Sequence, residues 1–184
     1  GGQWVCGGLT FGAGILDTDM AIARVGQDLR FTHANGTDSL TIKDWFNNLE
    51  NQVETVRFSA TGTVLTREQH TTPFLTLTGS AGNDTIQGGN AYGESFSGLE
   101  GSDTLYGNGG DDSLAGGLGT DQLYGGEGDD TYYFNQGDGQ DTITDTYGNN
   151  RLIFGPGLLD LLSISGGYGQ DVVYSFGTGD SVRI

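Results

Sequence analysis

The chain has 184 residues, with 24 acids against 7 bases and a formal net charge of −17. Its 35 glycines against 2 prolines exceed what an ordinary core-packed domain carries, and collagen's three-residue period is absent. So acidic a surface repels phosphate, which excludes nucleic acid and anionic membrane as partners and favours cations, and no apolar run is long enough to span a membrane.

Residues 1–8, "GGQWVCGG", read as a glycine-rich leader or linker. The lone Cys6 cannot form an internal disulfide, and no basic-plus-apolar signal peptide opens the chain. Residues 9–73 read as a first flanking segment. Within it, 28–43 predict a hairpin with Leu29, Phe31, Leu40 and Ile42 apolar and "ANGTD" as its turn. "VETVRF" and "TVLT" predict a second strand pair around "SATG". Trp45-Phe46 reads as a core anchor. His33 and His70 have no nucleophile signature near them and read as solvated or satisfied side chains. "DTDM" at Asp17 lacks the glycine and terminal glutamate of an EF-hand loop.

From Gly79 the chain falls into nine-residue units. They read "GSAGNDTIQ" (79–87), "GNAYGESFS" (89–97), "GLEGSDTLY" (98–106), "GNGGDDSLA" (107–115), "GGLGTDQLY" (116–124) and "GGEGDDTYY" (125–133). Gly88 stands as an insertion after the first unit, and a seventh unit, "QGDGQDTIT" (136–144), follows the insertion Phe134-Asn135. Position six is always acidic: Asp84, Glu94, Asp103, Asp112, Asp121, Asp130 and Asp141. Position eight is always large and apolar or aromatic: Ile86, Phe96, Leu105, Leu114, Leu123, Tyr132 and Ile143. Six turn residues thus precede three strand residues, with position eight facing inward. Two units make one coil, so odd units stack on one edge and even units on the other. Asp84, Asp103, Asp121 and Asp141 fall in one column, and Glu94, Asp112 and Asp130 in the second.

Stacked strands lie about 4.8 Å apart, and two carboxylates about 5 Å apart repel by roughly 3 kcal/mol at an effective dielectric near 20. Residues 79–145 carry 13 acids and no lysine or arginine to relieve this. A divalent cation between successive turns removes the repulsion and couples binding to folding. Oxygen is the only ligand chemistry here, since the array has no cysteine or histidine; carboxylates with turn carbonyls suit calcium. A phosphate-binding loop is the rival reading of the glycines, but no helix or lysine follows them and the local charge is negative.

The pattern G-G-x-G-x-D-x-U-x in "GGLGTDQLY" and "GGEGDDTYY" resembles the RTX (repeats-in-toxin) calcium-binding nonapeptide. The resemblance implies an all-β fold: a parallel β-roll over 79–145, with flanking antiparallel hairpins acting as caps and calcium between stacked turns. It implies side-chain ligands at Asp84, Asp103, Asp112, Asp121, Asp130 and Asp141. Glu94 departs from the pattern by one methylene, in a unit without the position-four glycine. It also implies ligands near positions one, three and five. These are Gly79, Ala81 and Asn83; Gly98, Glu100 and Ser102; Gly107, Gly109 and Asp111; Gly116, Leu118 and Thr120; and Gly125, Glu127 and Asp129; with Asp138 in the last unit. The inter-turn gaps allow about five ions.

"NRLIFGPGLLDLLSISGGYGQDVVYSFGTGDSVRI" resembles the haemolysin-type calcium-binding related segment that follows such arrays, and "LTFGAGILDTDMAIARVGQDLRFTHANGTDSLTIKDWF" resembles it again. Gly12 aligns with Gly155 and Gly26-Gln27-Asp28 with Gly169-Gln170-Asp171. Residues 146–184 therefore read as the start of a second flanking segment, and the chain as a piece of a longer tandem protein. The resemblance implies a non-enzymatic calcium-binding module of a secreted or cell-surface bacterial protein. Its partners would be calcium ions, other modules of the same chain and a type I secretion channel. Two other readings stand beside it. One is a structural or adhesive repeat of a giant surface protein or filament. The other is a substrate-binding accessory module of a secreted polysaccharide- or lipid-acting enzyme, in which Tyr106, Tyr124 and Tyr133 would offer a glycan an aromatic stripe.

Overall fold

The computed structural model describes residues 7–49, 52–159, 162–167, 170–177 and 179–184; Cys6 lies outside them. The chain divides into two compact units, Gly1–Leu75 and Thr76–Ile184.

The first unit carries β1 (Leu9–Phe11), β2 (Met20–Val25), β3 (Asp28–His33), β4 (Ser39–Ile42), β5 (Thr55–Phe58), β6 (Val64–Thr66) and the short helix α1 (Arg67–Thr71). Strands β2, β3 and β4 form an antiparallel meander in which Phe31 faces Leu40 and Leu29 faces Ile42, as the apolar alternation predicts. The Asn35 side chain closes the "ANGTD" turn by accepting the Thr37 and Asp38 amides, both at 3.1 Å, an Asx turn. Strands β5 and β6 pair antiparallel, and β1 joins β5 in parallel. Leu29, Phe31, Trp45, Phe46, Val56 and Phe58 are buried. Phe11 stacks on Phe58 at 5.1 Å, and the Arg24 guanidinium lies 4.0 Å from the Phe46 ring centroid, a cation–π contact.

The second unit is the roll. Its strands are β7 (Thr76–Thr78), β8 (Thr85–Gln87), β9 (Ser95–Gly101), β10 (Thr104–Gly109), β11 (Ser113–Gly119), β12 (Gln122–Glu127), β13 (Thr131–Phe134), β14 (Gln140–Thr144), β15 (Arg151–Phe154), β16 (Leu162–Gly167), β17 (Gln170–Phe176) and β18 (Ser181–Arg183). One sheet runs β15-β13-β11-β9-β7, and the other runs β16-β17-β18-β14-β12-β10-β8. Even units occupy the first and odd units the second, all paired in parallel within the array. The pairing is in register at position eight: Ile86, Leu105, Leu123 and Ile143 on one side, and Phe96, Leu114 and Tyr132 on the other. These side chains line the core between the sheets.

The sheets continue beyond the array. Leu77 pairs with Phe96 before it, Leu152 with Tyr132 after it, and β18 pairs in parallel with β14. β18 also pairs antiparallel with β17, and β17 with β16, so a hairpin closes the exposed edge of the last odd coil. The Phe134-Asn135 insertion has a use here. Phe134 is buried and stacks on Phe176 at 5.4 Å, while Phe154 meets Phe134 edge-on at 6.3 Å. These rings plug the open end of the core.

Position two adopts a left-handed backbone in the third to seventh units: Gly117, Gly126 and Gly137 have φ of 97, 111 and 94°, and Asn108 has 74°. Leu99 holds the same position with φ 80°. Gly119, at position four, has φ 150°, and a Cβ there would strike the Gly101 carbonyl of the adjacent coil. Gly119→Ala is expected to lose about 2–5 kcal/mol through backbone strain and overpacking. Leu99→Gly should instead be neutral or stabilising by up to about 1 kcal/mol, since it removes left-handed strain at the cost of chain entropy. Urea midpoints under conditions where the parent chain is folded will test both; a harmless Gly119→Ala would contradict the close coil contact.

Candidate metal centre along the edges of the roll

The position-six acids are set by the turn that precedes each strand and by the adjacent coil. The backbone amides of the first three odd and the first two even acids donate to the carboxylate of the acid one coil further on. On the odd edge, Asp84 donates to Asp103 at 2.8 Å, Asp103 to Asp121 at 2.8 Å, and Asp121 to Asp141 at 3.1 Å. On the even edge, Glu94 donates to Asp112 at 2.6 Å and Asp112 to Asp130 at 2.8 Å. Both columns therefore stand as the nine-residue period predicts, and Glu94 is buried in line with the others despite its length. Its unit accommodates the extra residue within the turn. Gly88, an insertion in the sequence reading, takes the position-one role: its amide donates to Tyr106 at 2.8 Å, as that of Gly79 does to Ser97.

Each amide uses one carboxylate oxygen. The other Oδ of Asp103, Asp112, Asp121 and Asp130 is buried without a hydrogen-bond partner among the described residues. Such an oxygen costs on the order of 1–3 kcal/mol or more when nothing compensates it. What these oxygens face is visible at the position-one glycines. A Cβ on Gly98 would collide with both Asp103 Oδ2 and the Gly116 carbonyl oxygen, and a Cβ on Gly107 would meet Asp112 Oδ2 and the Gly125 carbonyl, the latter at 2.5 Å. A carboxylate oxygen and a carbonyl oxygen from adjacent coils thus converge on a cradle that any side chain would fill. That donor set is hard, oxygen-only and anionic, and it fits calcium. Among the described residues no three acidic, histidine or cysteine side chains converge on one point, so a cation here takes much of its shell from the backbone.

The remaining sequence-predicted residues divide by role. Glu100 pairs laterally with Leu118, and Gly109 with Glu127. The Glu127 carbonyl accepts the Gly110 amide at 2.8 Å, and the Asp138 carbonyl accepts the Gly119 amide at 2.7 Å. The Asp138 side chain is buried and accepts the Asn135 amide at 2.6 Å, holding the inserted turn. At position five, side chains bridge coils: Asn83 accepts the Ser102 amide at 2.8 Å, Asp111 that of Asp129 at 2.9 Å, and Asp129 that of Asn149 at 2.8 Å. Ala81 and Thr120 lie on exposed turns. Asp84 differs from the other aspartates. Its Oδ2 accepts the Ser80 amide and hydroxyl at 2.6 and 2.8 Å, and these bonds lower its pKa.

One column member and one further acceptor escape the sequence reading. Asn150 continues the even column by accepting the Asp130 amide at 2.9 Å, and the buried Asp180 accepts the position-two amide of Gly137 at 2.9 Å. The signal for Asn150 was present in phase, with Gly148 at position four and Leu152 at position eight of 145–153. The tyrosines do not form one stripe. Tyr106 and Tyr124 stack at 4.9 Å on the odd sheet, whereas Tyr133 lies on the even sheet.

Electrostatics follow burial. Desolvation, partly offset by the Glu94 amide and reinforced by neighbouring acids, pushes Asp112 up to about 8. Asp141 rises likewise to about 8, and Asp121 and Asp130 to about 6, again chiefly through burial.

A two-sided parallel roll with a column of stacked carboxylates along each edge defines a repeat solenoid whose turns are built to face cations. Residues 76–140 match the RTX calcium-binding nonapeptide repeat, in four overlapping copies at 76–91, 89–123, 97–132 and 106–140. Residues 28–69 match the haemolysin-type calcium binding protein related domain. Among solved structures, the extracellular lipase LipA from Serratia marcescens is similar over 96% of this chain at 18% identity and a TM-score of 0.48. The chain spans 29% of the length of that lipase. No curated protein matches the chain.

Two outcomes follow. Carboxyls raised in the folded state bind protons that the unfolded chain, titrating near 3.8, releases. The metal-free roll therefore gains stability as pH falls from about 8 toward 4 and loses it as pH rises through that window. Far-UV circular dichroism in metal-free buffer should show more β-structure at pH 5 than at pH 8; a flat profile would contradict the buried columns. Asp112→Asn keeps an acceptor for the Glu94 amide and removes an uncompensated charge. It should stabilise the metal-free roll by about 3 kcal/mol and weaken its cation affinity, as thermal melts with and without calcium will report.

Proposed function

We propose that the chain is a non-enzymatic calcium-binding module of a secreted bacterial protein, and that calcium drives the roll to fold outside the cell. The observation that carries this reading is the row of buried aspartate oxygens without partners among the described residues, of which those of Asp103 and Asp112 face the position-one carbonyls of Gly116 and Gly125 in the adjacent coil. Calcium, when bound there, supplies positive charge between facing carboxylates and accepts oxygens from both coils. The aspartates at position six hold the two coils in register through their amide bonds. The glycines at position one keep the cradles open, and the carbonyls of positions one, three and five complete the oxygen set.

Without calcium, the stacked charges and the glycine-rich turns oppose folding, so the chain stays extended and able to pass a narrow export channel of the type I kind. At extracellular calcium, sites with affinities on the order of 10⁻⁴–10⁻³ M fill and the roll forms. Among the described residues, no helix is long and apolar enough to cross a membrane. Far-UV circular dichroism in EDTA followed by calcium tests the reading. The expected result is a disordered or reduced β signal that calcium restores; a full β spectrum without calcium would sink it.

A second reading, a structural tandem repeat of a giant surface protein, is favoured by one further observation. The two flanking meanders share a register. Phe31 pairs with Leu40 and Thr32 with Ser39, as Tyr174 pairs with Val182 and Ser175 with Ser181. In the second meander the last strand continues into the roll by pairing with β14. The equivalent β4 is an edge strand of its sheet, and the tandem reading pairs it with the last coil of a preceding roll. A fusion that places a second copy of residues 76–145 ahead of this chain should form one cooperative calcium-dependent transition with it; two independent transitions would argue against the tandem reading.

A further inference from the structure

The two flanking segments align in sequence, Gly12 with Gly155 and Asp28 with Asp171, and their geometry repeats as well. Phe11 and Phe31 stand 5.7 Å apart and tilted by 56°, and their counterparts Phe154 and Tyr174 stand 5.6 Å apart and tilted by 51°. The His33 amide donates to the Asp38 carbonyl at 2.9 Å, as the Phe176 amide donates to the Asp180 carbonyl at 2.9 Å. One surface is thus built twice in the chain.

The second copy of that surface is covered. Residues 145–153 stand in phase as an eighth unit, whose strand β15 pairs in parallel with β13, while β18 pairs in parallel with β14. Both sheets of the roll therefore run on into the second segment. In the first segment the counterparts of β15 and β18 are β1 and β4, and each ends its sheet. β1 meets β5 through the Phe11 carbonyl, which accepts the Ser59 amide at 3.0 Å, whereas β15 meets β13 through the Gly155 amide, which donates to the Phe134 carbonyl at 2.8 Å. Successive residues of a strand direct their polar groups to opposite edges, so β5 leaves open the edge of β1 that corresponds to the covered edge of β15.

A cavity of about 410 Å³ lies beside these edges, lined by Phe11, Ile15, His33, Asp38 and Leu40 among others. Their counterparts are Phe154, Leu158, Phe176, Asp180 and Val182. There the roll supplies the filling: Phe134 stacks on Phe176 and meets Phe154 edge-on, and Asp180 accepts the Gly137 amide at 2.9 Å. Leu40 is 38% exposed where Val182 is 1% exposed.

We propose that β1, β4 and the cavity beside them form a seat for the last coil of another RTX roll, one that precedes this segment in the same polypeptide. An aromatic ring equivalent to Phe134 fills the cavity, β1 and β4 extend the two sheets of that roll, and Asp38 accepts a turn amide equivalent to that of Gly137. His33 takes the place of Phe176, so the incoming ring stacks on an imidazole. This rests on the tandem reading and adds to it a register and a requirement on the partner: the preceding roll carries an aromatic residue directly after its last even unit. The roll of residues 76–145 has its own end closed by β15 and β18, so the occupant is a different roll.

The test joins a second copy of residues 76–151 directly to Leu9, the counterpart of Leu152. This omits Cys6, the single cysteine. Gln140 stands opposite Ser181 on the covered surface, so Gln140→Cys in the leading copy should form a disulfide with Ser39→Cys in calcium under mild oxidation. The rate should exceed that with Thr41→Cys, two residues out of register, at least tenfold. Adding Leu40→Asp, at a side chain already exposed, should slow it at least tenfold. No preference for Ser39→Cys, or a rate indifferent to Leu40→Asp, would overturn the seat. One cooperative calcium-dependent transition with unpaired cysteines would overturn the seat and leave the tandem reading standing; two transitions with unpaired cysteines would overturn both. If the cysteine variants do not regain a β spectrum in calcium, hydrogen exchange of the cysteine-free fusion decides. The outward amides of β4 should exchange at least tenfold more slowly than in the 184-residue chain, and equal rates would overturn the seat.

Discussion

The roll depends on a hydrogen bond that uses only half of its acceptor. Along both columns, position-six amides donate to the carboxylate of the next coil, as Asp103 does to Asp121 and Asp112 to Asp130. That bond sets the register of both edges and draws the carboxylate into the turn. It also leaves the second oxygen of Asp103, Asp112, Asp121 and Asp130 buried and without a donor among the described residues. The acid density, the glycines at position one and the absence of basic residues from the array are one arrangement seen from three sides. A lysine in the turn would satisfy the stray oxygen, but it would occupy the cradle and remove the dependence on a cation.

The apolar interior is thin, one rung of side chains from each unit. Such a core has no natural end, and its last rung would face water. The chain closes it with aromatic rings brought from three places: Phe134 from the insertion, Phe154 from the end of β15 and Phe176 from the terminal hairpin. The two ends are therefore chemically different. At the start, Asp84 is served by its own turn through Ser80; at the finish, Asp130 must borrow Asn150 from beyond the array.

Much of this was legible because one period governs everything in the array. The spacing of Asp103, Asp112 and Asp121 placed them on alternate edges, and Leu105, Leu114 and Leu123 faced inward for the same reason. The hairpin of 28–43 was legible from alternation and an Asx turn. The period failed wherever a residue broke its own role. Gly88 looked like an insertion because Glu94 looked like the anchor of its unit, yet the backbone amide of Gly88 fixes position one. Asn150 was passed over because an amide was not counted where an acid was expected, although as an acceptor for a backbone amide the two are equivalent. Asp111 and Asp129 bridge coils through their side chains, which depends on side-chain direction in the turn and leaves no trace in spacing. Tyr133 fell outside the tyrosine pair because the sheet alternates with each unit, so equal position in the repeat does not mean equal face.

That alternation restricts how such an array can change length. Inserting one nine-residue unit would send every following unit to the opposite sheet. The eighth unit would then meet the odd column, and the terminal hairpin, which now continues from β14, would be offered to the wrong side. Only the addition or loss of two units, a whole coil, leaves each end matched to its neighbour. The parity of the repeat number is thus inherited as strictly as any side chain, and variation among such rolls should proceed in steps of about eighteen residues.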